Sequence, residues 1–386
     1  MKKIAILGYG VVGGGVAEVI DTNRAEIEAA IGEEIEIKYI LDLRDFPGNK
    51  YESALTKDFN DILGDPEVVL VAEAMGGSHP AYDFSLAALK AGKNVVTSNK
   101  EVVANFGAEL LNTAKENGVR YLFEASVGGG IPIIRPLIES LAGNRICSVA
   151  GILNGTTNYI LTEMSENGKT FEIALKEAQE KGYAEKDPTA DVDGIDAKRK
   201  ICILSAISFG KMYGEDVVKN EGIRNIELTD VKILAGIGAK IKLVGKAVKT
   251  EQGIAIDVAP RVVRYNNPLR SVDGVFNGIL VNGNALGDVM FYGSGAGKLP
   301  TASAVVSDIM DILTHPGAVE KLSFEEGSGE DLVDTDALPL SYYVRTEAKP
   351  QSYEYECVGD KAIIIKNISK NDVKANFAGS VFYEVM

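Results

Sequence analysis

Short apolar runs and amphipathic stretches alternate through the first third of the chain. Residues 2–7 form a compact apolar run that suits a buried parallel strand. Residues 14–30 carry apolar side chains at helical spacing, and 35–41 return to a strand-like pattern. Residues 68–73, 94–97 and 119–123 predict further strands, with helices at 82–90 and 108–116 between them. Repetition of this kind specifies a parallel, doubly wound α/β sheet. Beyond Pro136 the order loosens. Strands are expected at 146–153, 241–248, 254–263 and 275–281, and helices at 171–181 and 197–208, as in an α+β domain. An apolar helix at 302–313 follows Gly293-Ser294-Gly295-Ala296-Gly297. Residues 325–336 are acidic and read as an exposed linker, and 341–386 as a few short strands and one helix.

The turn after the first strand, Gly8-Tyr9-Gly10-Val11-Val12-Gly13, fits G-x-G-x-x-G in its strand–turn–helix context. Gly8 permits the tight turn, Gly10 lets a pyrophosphate approach the backbone, and Gly13 allows the helix to pack close to the strand. The helix N-terminus then offers free N–H groups to phosphates. This is the fingerprint of a Rossmann-type dinucleotide fold, whose ligands collect at the carboxyl ends of the strands. Gly76-Gly77-Ser78, Ser98-Asn99-Lys100 and Glu124-Ala125-Ser126-Val127 lie just past such ends. Asp42, near the end of the second strand, suits the ribose hydroxyls of NAD, and Arg44 suits the 2′-phosphate of NADP. Both cofactors stay open at this point.

Composition narrows the chemistry. A length of 386 residues is enough for two or three domains at roughly 150 residues each. The net charge of −15 argues against a nucleic-acid partner and against a polybasic membrane surface. No apolar run reaches the roughly 18 residues needed to span a bilayer. Lys2-Lys3 before Ile4-Ala5-Ile6-Leu7 imitates the start of a signal peptide, but Gly8, Gly10 and Gly13 to Gly15 interrupt it and Glu18 and Asp21 follow. A mature cytoplasmic protein is expected. Cys147, Cys202 and Cys357 form no cluster, which leaves neither a disulfide scaffold nor a zinc finger. Only two histidines, His79 and His315, are present, so proton transfer falls to lysine or a carboxylate.

The densest polar stretch runs from Gly182 to Lys200. Within it Asp196 and Lys200 stand four apart and share a helix face. A carboxylate beside a partly desolvated lysine can orient its ammonium group and tune its proton affinity. The plainer reading is a solvated ion pair. Lys100 begins a helix in the nucleotide half, where it could bridge cofactor and substrate or simply face solvent. The turn Glu124 to Pro132 gathers carbonyls and one carboxylate, which suits a hard monovalent cation or a plain connector.

Taken in order, several motifs resemble the homoserine dehydrogenase family over about residues 1–320. They are the glycine fingerprint, Ser98-Asn99-Lys100, Glu124 to Pro132, Asn154-Gly155-Thr156-Thr157-Asn158-Tyr159-Ile160-Leu161, Gly182-Tyr183-Ala184-Glu185, Asp196-Ala197-Lys198-Arg199-Lys200, and Gly295-Ala296-Gly297 with Pro300 to Ala304. The resemblance implies reversible, NAD- or NADP-dependent oxidation of L-homoserine to L-aspartate 4-semialdehyde. It implies Lys200 as proton donor, with Asp196 and Lys100 also in the catalytic set. Glu185, Asp191 and Lys100 would bind substrate. Gly8, Gly10, Val11, Val12, Gly13, Arg44, Ser78, Lys100 and Gly297 would bind the cofactor. Glu124, with the carbonyls of Val127, Gly129 and Ile131, would hold sodium or potassium.

It also implies a discontinuous nucleotide domain, 1–135 plus about 290–318, around a substrate and dimerisation domain at 136–289. Residues 319–386 would be an acidic linker and a short extension, either a reduced remnant of an ACT regulatory domain or a dimer-stabilising piece. A homodimer or homotetramer is expected. Two rivals differ in kind. Phosphorylating semialdehyde dehydrogenases need a cysteine nucleophile, and glycine (Gly155) stands before Thr156-Thr157-Asn158 where that thiol would sit. A non-catalytic nucleotide-sensing regulator could keep the fold without the chemistry.

Overall fold

The computed structural model describes residues 1–386, which divide into two compact units. The first comprises 1–142, 210–212 and 294–326. Its core is a six-stranded parallel sheet ordered Leu55–Thr56, Ile35–Leu41, Lys2–Leu7, Val68–Glu73, Asn94–Thr97, Tyr121–Leu122. Lys2–Leu7 pairs with Ile35–Leu41 on one side and with Val68–Glu73 on the other, both parallel. Ile4, Ala5, Ile6 and Leu7 are wholly buried, because helices cover both faces.

The expected helix at 14–30 is two helices, Val11–Thr22 and Arg24–Ile31. Asn23 leaves helical geometry between them, at φ −109° and ψ 25°. Asparagine competes for backbone hydrogen bonds, so apolar spacing alone did not mark this break. The expected strand at 119–123 shortens to Tyr121–Leu122.

A late helix, Lys298–Thr314, lies in this first unit against Val11–Thr22. Gly15 permits the approach: a Cβ there would sit 2.8 Å from the Lys298 carbonyl oxygen and 3.0 Å from the Ala302 Cβ. Ala302, Val305 and Ile309 bury completely beside Val16 and Ile20. Glu325–Glu326 is not a free linker. It pairs in parallel with Lys211–Met212 within the same unit.

The second unit comprises 143–209, 213–293 and 327–386. A long antiparallel pair, Lys240–Lys249 and Ile254–Val263, forms the middle of a ten-stranded mixed sheet. Ile146–Ile152 and Phe276–Gly283 extend it on one side, and Gly287–Ser294 closes that edge. Helices Gly155–Asn167, Phe171–Glu180 and Ile195–Phe209 belong to this unit.

The end of the chain continues the same sheet. Phe382–Val385 pairs in parallel with Ile254–Val263 and antiparallel with Leu340–Val344. The four tail strands run in the order Phe382–Val385, Leu340–Val344, Ala362–Ile368, Tyr355–Val358, with one helix, Lys370–Asn376. Residues 327–386 are thus part of the second unit rather than a separate extension. Leu332 bridges to Ile254, and the Val333 N–H donates to the Ile254 carbonyl at 2.9 Å. The acidic side chains Glu330, Asp331 and Asp334 stay exposed while their backbone is tied down, so composition alone suggested a linker.

Candidate active site

In the first unit the glycine loop has the geometry a dinucleotide needs. Gly8 sits at φ +88°, a region that favours glycine. A Cβ on Gly13 would fall 1.8 Å from the Gly8 carbonyl oxygen, so only glycine fits. A Cβ on Gly10 would meet nothing within 4 Å, which leaves room above the loop. The helix that starts at Val11 has no side-chain cap and no acid in its first turn, so its N–H groups and positive dipole end remain for an anion. Gly10, Val11, Tyr9, Arg44, Lys50 and Lys298 line a cleft of about 680 Å³ here. Val12 packs inward on the core.

Asp42 accepts from the Tyr9 N–H at 2.8 Å and grips Arg44 through two bonds, at 3.0 Å from Nε and 2.9 Å from Nη2. Foremost among the causes, the Arg44 guanidinium holds the Asp42 carboxyl well below the usual carboxylate range. The two residues weighed for cofactor choice therefore form one unit.

The loops after the fourth and fifth strands are also joined. Asn99 donates from Nδ2 to the Gly77 carbonyl at 2.8 Å and accepts from the Val102 N–H, capping helix Lys100–Glu116. Ser78 donates to Glu101 at 2.7 Å. Ser78 and Lys100 are thus held by a common framework. Beneath them lies Glu73, fully buried, accepting from Thr97 Oγ1 at 2.5 Å and from the Met75 N–H at 2.6 Å. Burial pushes its carboxyl up to about 7. Reading the sequence missed Glu73, because an acid ending an apolar strand looks solvent-facing.

The expected role of Glu124 as a carboxylate ligand meets a competing use. Its two carboxylate oxygens accept the N–H groups of Ile133, Ile134 and Arg135 at 2.6, 2.8 and 2.7 Å. The buried side chain braces the turn. The carbonyls of Val127, Gly129 and Ile131 accept none of the turn's backbone hydrogen bonds, so these three oxygens fit a hard cation. Gly129, at φ +57°, lets the turn pass close to Gly295, and the Gly130 N–H donates to the Ser294 carbonyl at 2.9 Å. Gly297, at φ +124°, precedes helix Lys298–Thr314 in this unit.

In the second unit the polar stretch condenses around Lys200. This lysine lies on helix Ile195–Phe209 and is buried, with Nζ 2.8 Å from Asp196 Oδ2 and 2.8 Å from the Leu153 carbonyl. The plainer expectation of a solvated pair is therefore set aside. Asp191, from the short helix Thr189–Val192, joins through Asn154, whose Nδ2 lies 2.7 Å from Asp191 and 2.9 Å from Asp196. Burial and then the Asp196 charge raise the Asp191 carboxyl, against the bonds from Asn154 and Thr156 and the charge of Lys200. Glu185 lies on an exposed loop, with its carbonyl accepting from Gln179 at 3.1 Å. Asn154 carried no assigned role in the sequence, although its place before Gly155-Thr156-Thr157 is a helix N-cap signal.

No helix is long and apolar enough to cross a membrane. Two family models match the chain: "Homoserine dehydrogenase, NAD binding domain" over 8–124 and "Homoserine dehydrogenase" over 132–310. With the glycine cleft, they make the protein an NAD(P)-dependent oxidoreductase. The homoserine dehydrogenase of Neisseria gonorrhoeae is 42% identical over 358 residues, covering 90% of this chain and 82% of that one. The Synechocystis enzyme is 45% identical over 318 residues, covering 81% and 73%. A crystal structure of a Thiobacillus denitrificans homoserine dehydrogenase superposes with a TM-score of 0.88 at 36% identity, covering 100% of this chain and 98% of the other. A hyperthermophilic archaeal homoserine dehydrogenase mutant, solved in complex with NADPH, gives 0.70 at 33%, covering 82% and 99%. The chain belongs to the homoserine dehydrogenase family and interconverts L-homoserine and L-aspartate 4-semialdehyde. The alternative of a non-catalytic sensor finds no support among these relatives.

Proposed function

We propose that Lys200 is the proton donor in aldehyde reduction. The observation that carries this is its buried Nζ, 2.8 Å from both Asp196 and the Leu153 carbonyl. The nicotinamide cofactor supplies the hydride when bound. As charge develops on the aldehyde oxygen, Lys200 gives it a proton and becomes the neutral amine. In the reverse direction the neutral amine takes the hydroxyl proton. Asp196 orients the ammonium group and favours its charged form. Glu185 and Asp191 bind the substrate ammonium, and Lys100 contacts cofactor and substrate. Asp196 also adds negative charge near the substrate ammonium.

The cofactor groups are Gly8, Gly10, Val11, Val12, Gly13, Arg44, Ser78, Lys100 and Gly297. NADP and NAD both remain candidates, and the relative solved with NADPH favours testing NADP first. A sodium or potassium ion held by Glu124 and the carbonyls of Val127, Gly129 and Ile131 would stiffen the turn that Glu124 braces. The same proposal takes the first unit as nucleotide-binding, the second as substrate-binding and dimerising, and the tail as a reduced ACT-like element. It includes a homodimer or homotetramer acting in the cytoplasm, where the three unpaired cysteines would stay reduced.

Lys200→Met tests the central claim. It keeps length and apolar packing and removes the proton. Loss of general acid catalysis costs about 10²- to 10⁴-fold in kcat, while NADPH affinity measured by fluorescence titration stays near wild type. Near-normal turnover would move the role elsewhere, Lys100 first.

A further inference from the structure

We propose that Asn154 is the positioning residue of the substrate site, its amide nitrogen holding Asp191 and Asp196 side by side while its amide oxygen fixes the helix behind them. The proposal rests on the reading of Asp191, Asp196 and Lys200 as the substrate and proton-transfer groups.

Asn154 is buried, and all of its polar capacity is used. Nδ2 has two hydrogens, one for Asp191 Oδ1 at 2.7 Å and one for Asp196 Oδ2 at 2.9 Å. Oδ1 accepts from the Thr157 N–H at 2.9 Å and from the Thr157 hydroxyl at 3.0 Å. An uncharged side chain with two donors and an acceptor at one end must be an amide. The residue before it adds the third contact, since the Leu153 carbonyl accepts from Lys200 Nζ at 2.8 Å. Two consecutive residues therefore touch both acids and the lysine.

The place of this dipeptide is itself fixed. A Cβ on Gly155 would lie 2.7 Å from the Val275 carbonyl oxygen, so the turn seats tightly and admits glycine alone. The neighbouring Thr156 hydroxyl donates to the Tyr183 carbonyl at 2.6 Å, tying the start of the same helix to the Gly182–Glu185 loop.

Electrostatics gives the amide its purpose. Asp191 and Asp196 come from separate helices and carry like charge in a desolvated place. Two such carboxylates resist ionising together unless each receives hydrogen bonds. The charged groups facing Asp191 are Asp196 and Lys200, and the neutral donors are Asn154 and Thr156. Asn154 donates to both acids. It keeps the pair anionic for the substrate ammonium while Asp196 remains free to orient Lys200.

The experiment separates positioning from helix capping. Asn154→Asp keeps an oxygen that can cap the helix, removes both donors and adds a third carboxylate. Asn154→Ser keeps a cap without the donors or the extra charge. Melting temperature, NADPH affinity and the pH dependence of kcat/KM for homoserine are measured for each. The expected result is a fold and an NADPH affinity near wild type, with kcat/KM down about 100-fold, the scale of misplacing reacting groups by about an ångström. The acidic limb of the profile should move to higher pH, further for Asp than for Ser. A lowered melting temperature with an unmoved acidic limb would reduce Asn154 to a cap, and wild-type kinetics would overturn the proposal outright. Lys200→Met and Asp191→Asn are assayed alongside. Should those two retain normal turnover, the reading of the site fails; should they fail while Asn154→Asp works, only the role of Asn154 falls.

Discussion

Arg261, in the middle of the long sheet, holds Glu384 of the last strand at 2.7 Å, with both side chains buried. Arg261 also donates to Asp257 at 2.5 Å and to the Val244 carbonyl at 2.6 Å, and Lys246 reaches Glu384 at 2.6 Å. The tail is thus fastened by a charge network as well as by strand pairing. Removing one partner of a buried pair leaves an uncompensated charge and costs about 3–5 kcal/mol. Glu384→Ala is expected to destabilise the second unit by that order in urea unfolding. An unaltered midpoint would show that strand pairing alone carries the tail.

The same residue gives a pH dependence. Despite burial, Arg261 and Lys246 pull the Glu384 carboxyl down from 4.5 to about 2. The folded form therefore prefers the ionised group more than the unfolded chain does. Its contribution is fully present above pH 4.5 and is lost as pH falls from there toward 2. Melting temperatures of wild type and Glu384→Gln should differ most above pH 5 and converge at acid pH.

Glu73 has the opposite sign. Its folded carboxyl is raised to about 7, chiefly by burial. Between 4.5 and 7 the folded protein binds more protons than the unfolded chain, so stability falls as pH rises through that window. Glu73→Gln imitates the protonated form and should flatten this slope. The check is the pH dependence of the unfolding midpoint from 5 to 8; equal slopes in both proteins would mean that Glu73 stays ionised.

Much of the first unit is written in local pattern. The runs at Lys2–Leu7 and Val68–Glu73 are apolar on both sides because both faces are covered, and the glycine loop carries its own constraint at Gly8 and Gly13. The Asp196–Lys200 spacing likewise placed both groups on one helix face. What could not be read depends on distant partners. Gly287–Ser294 is an edge strand with no buried position and glycines near both ends, so it shows no alternation. Phe382–Val385 finds one of its two neighbours more than a hundred residues away. The charge of Glu124 suggested a ligand, and only the structure shows three N–H groups already upon it. Asn154 bridges acids that lie 37 and 42 residues on, a relationship no spacing rule contains.

The two glycines of the loop should separate fold from binding. A side chain at Gly13 collides with the Gly8 carbonyl, so Gly13→Ala is expected to lower stability. Gly10, at φ −80° and with open space around its missing Cβ, tolerates a side chain as far as the protein is concerned. Gly10→Val should keep the fold and lose the cofactor, because the new methyl groups occupy the pyrophosphate's path. Calorimetric titration showing unchanged cofactor affinity in Gly10→Val would remove the loop from the binding site.

The proposed role of Arg44 in cofactor choice can be tested directly. Its guanidinium is held by two bonds to Asp42 and stays exposed beside the cleft that Lys50 and Lys298 also line. Pinned this way, Arg44 covers the carboxylate that would otherwise favour ribose hydroxyls and repel a 2′-phosphate. It also presents charged donors without further ordering, which suits phosphate recognition. Arg44→Ala removes the donor and uncovers Asp42 in one step, so both effects act against NADPH. A lost charge-assisted hydrogen bond is worth about 1.5–3 kcal/mol, or roughly 10- to 100-fold in affinity. NADPH binding should weaken by that factor, while NADH, which has no phosphate there, loses little or gains from the freed carboxylate. Arg44→Ala with Asp42→Asn should recover part of the NADPH affinity by removing the repulsion. Equal losses for the two cofactors in the single variant would show that Arg44 serves the loop and not the phosphate.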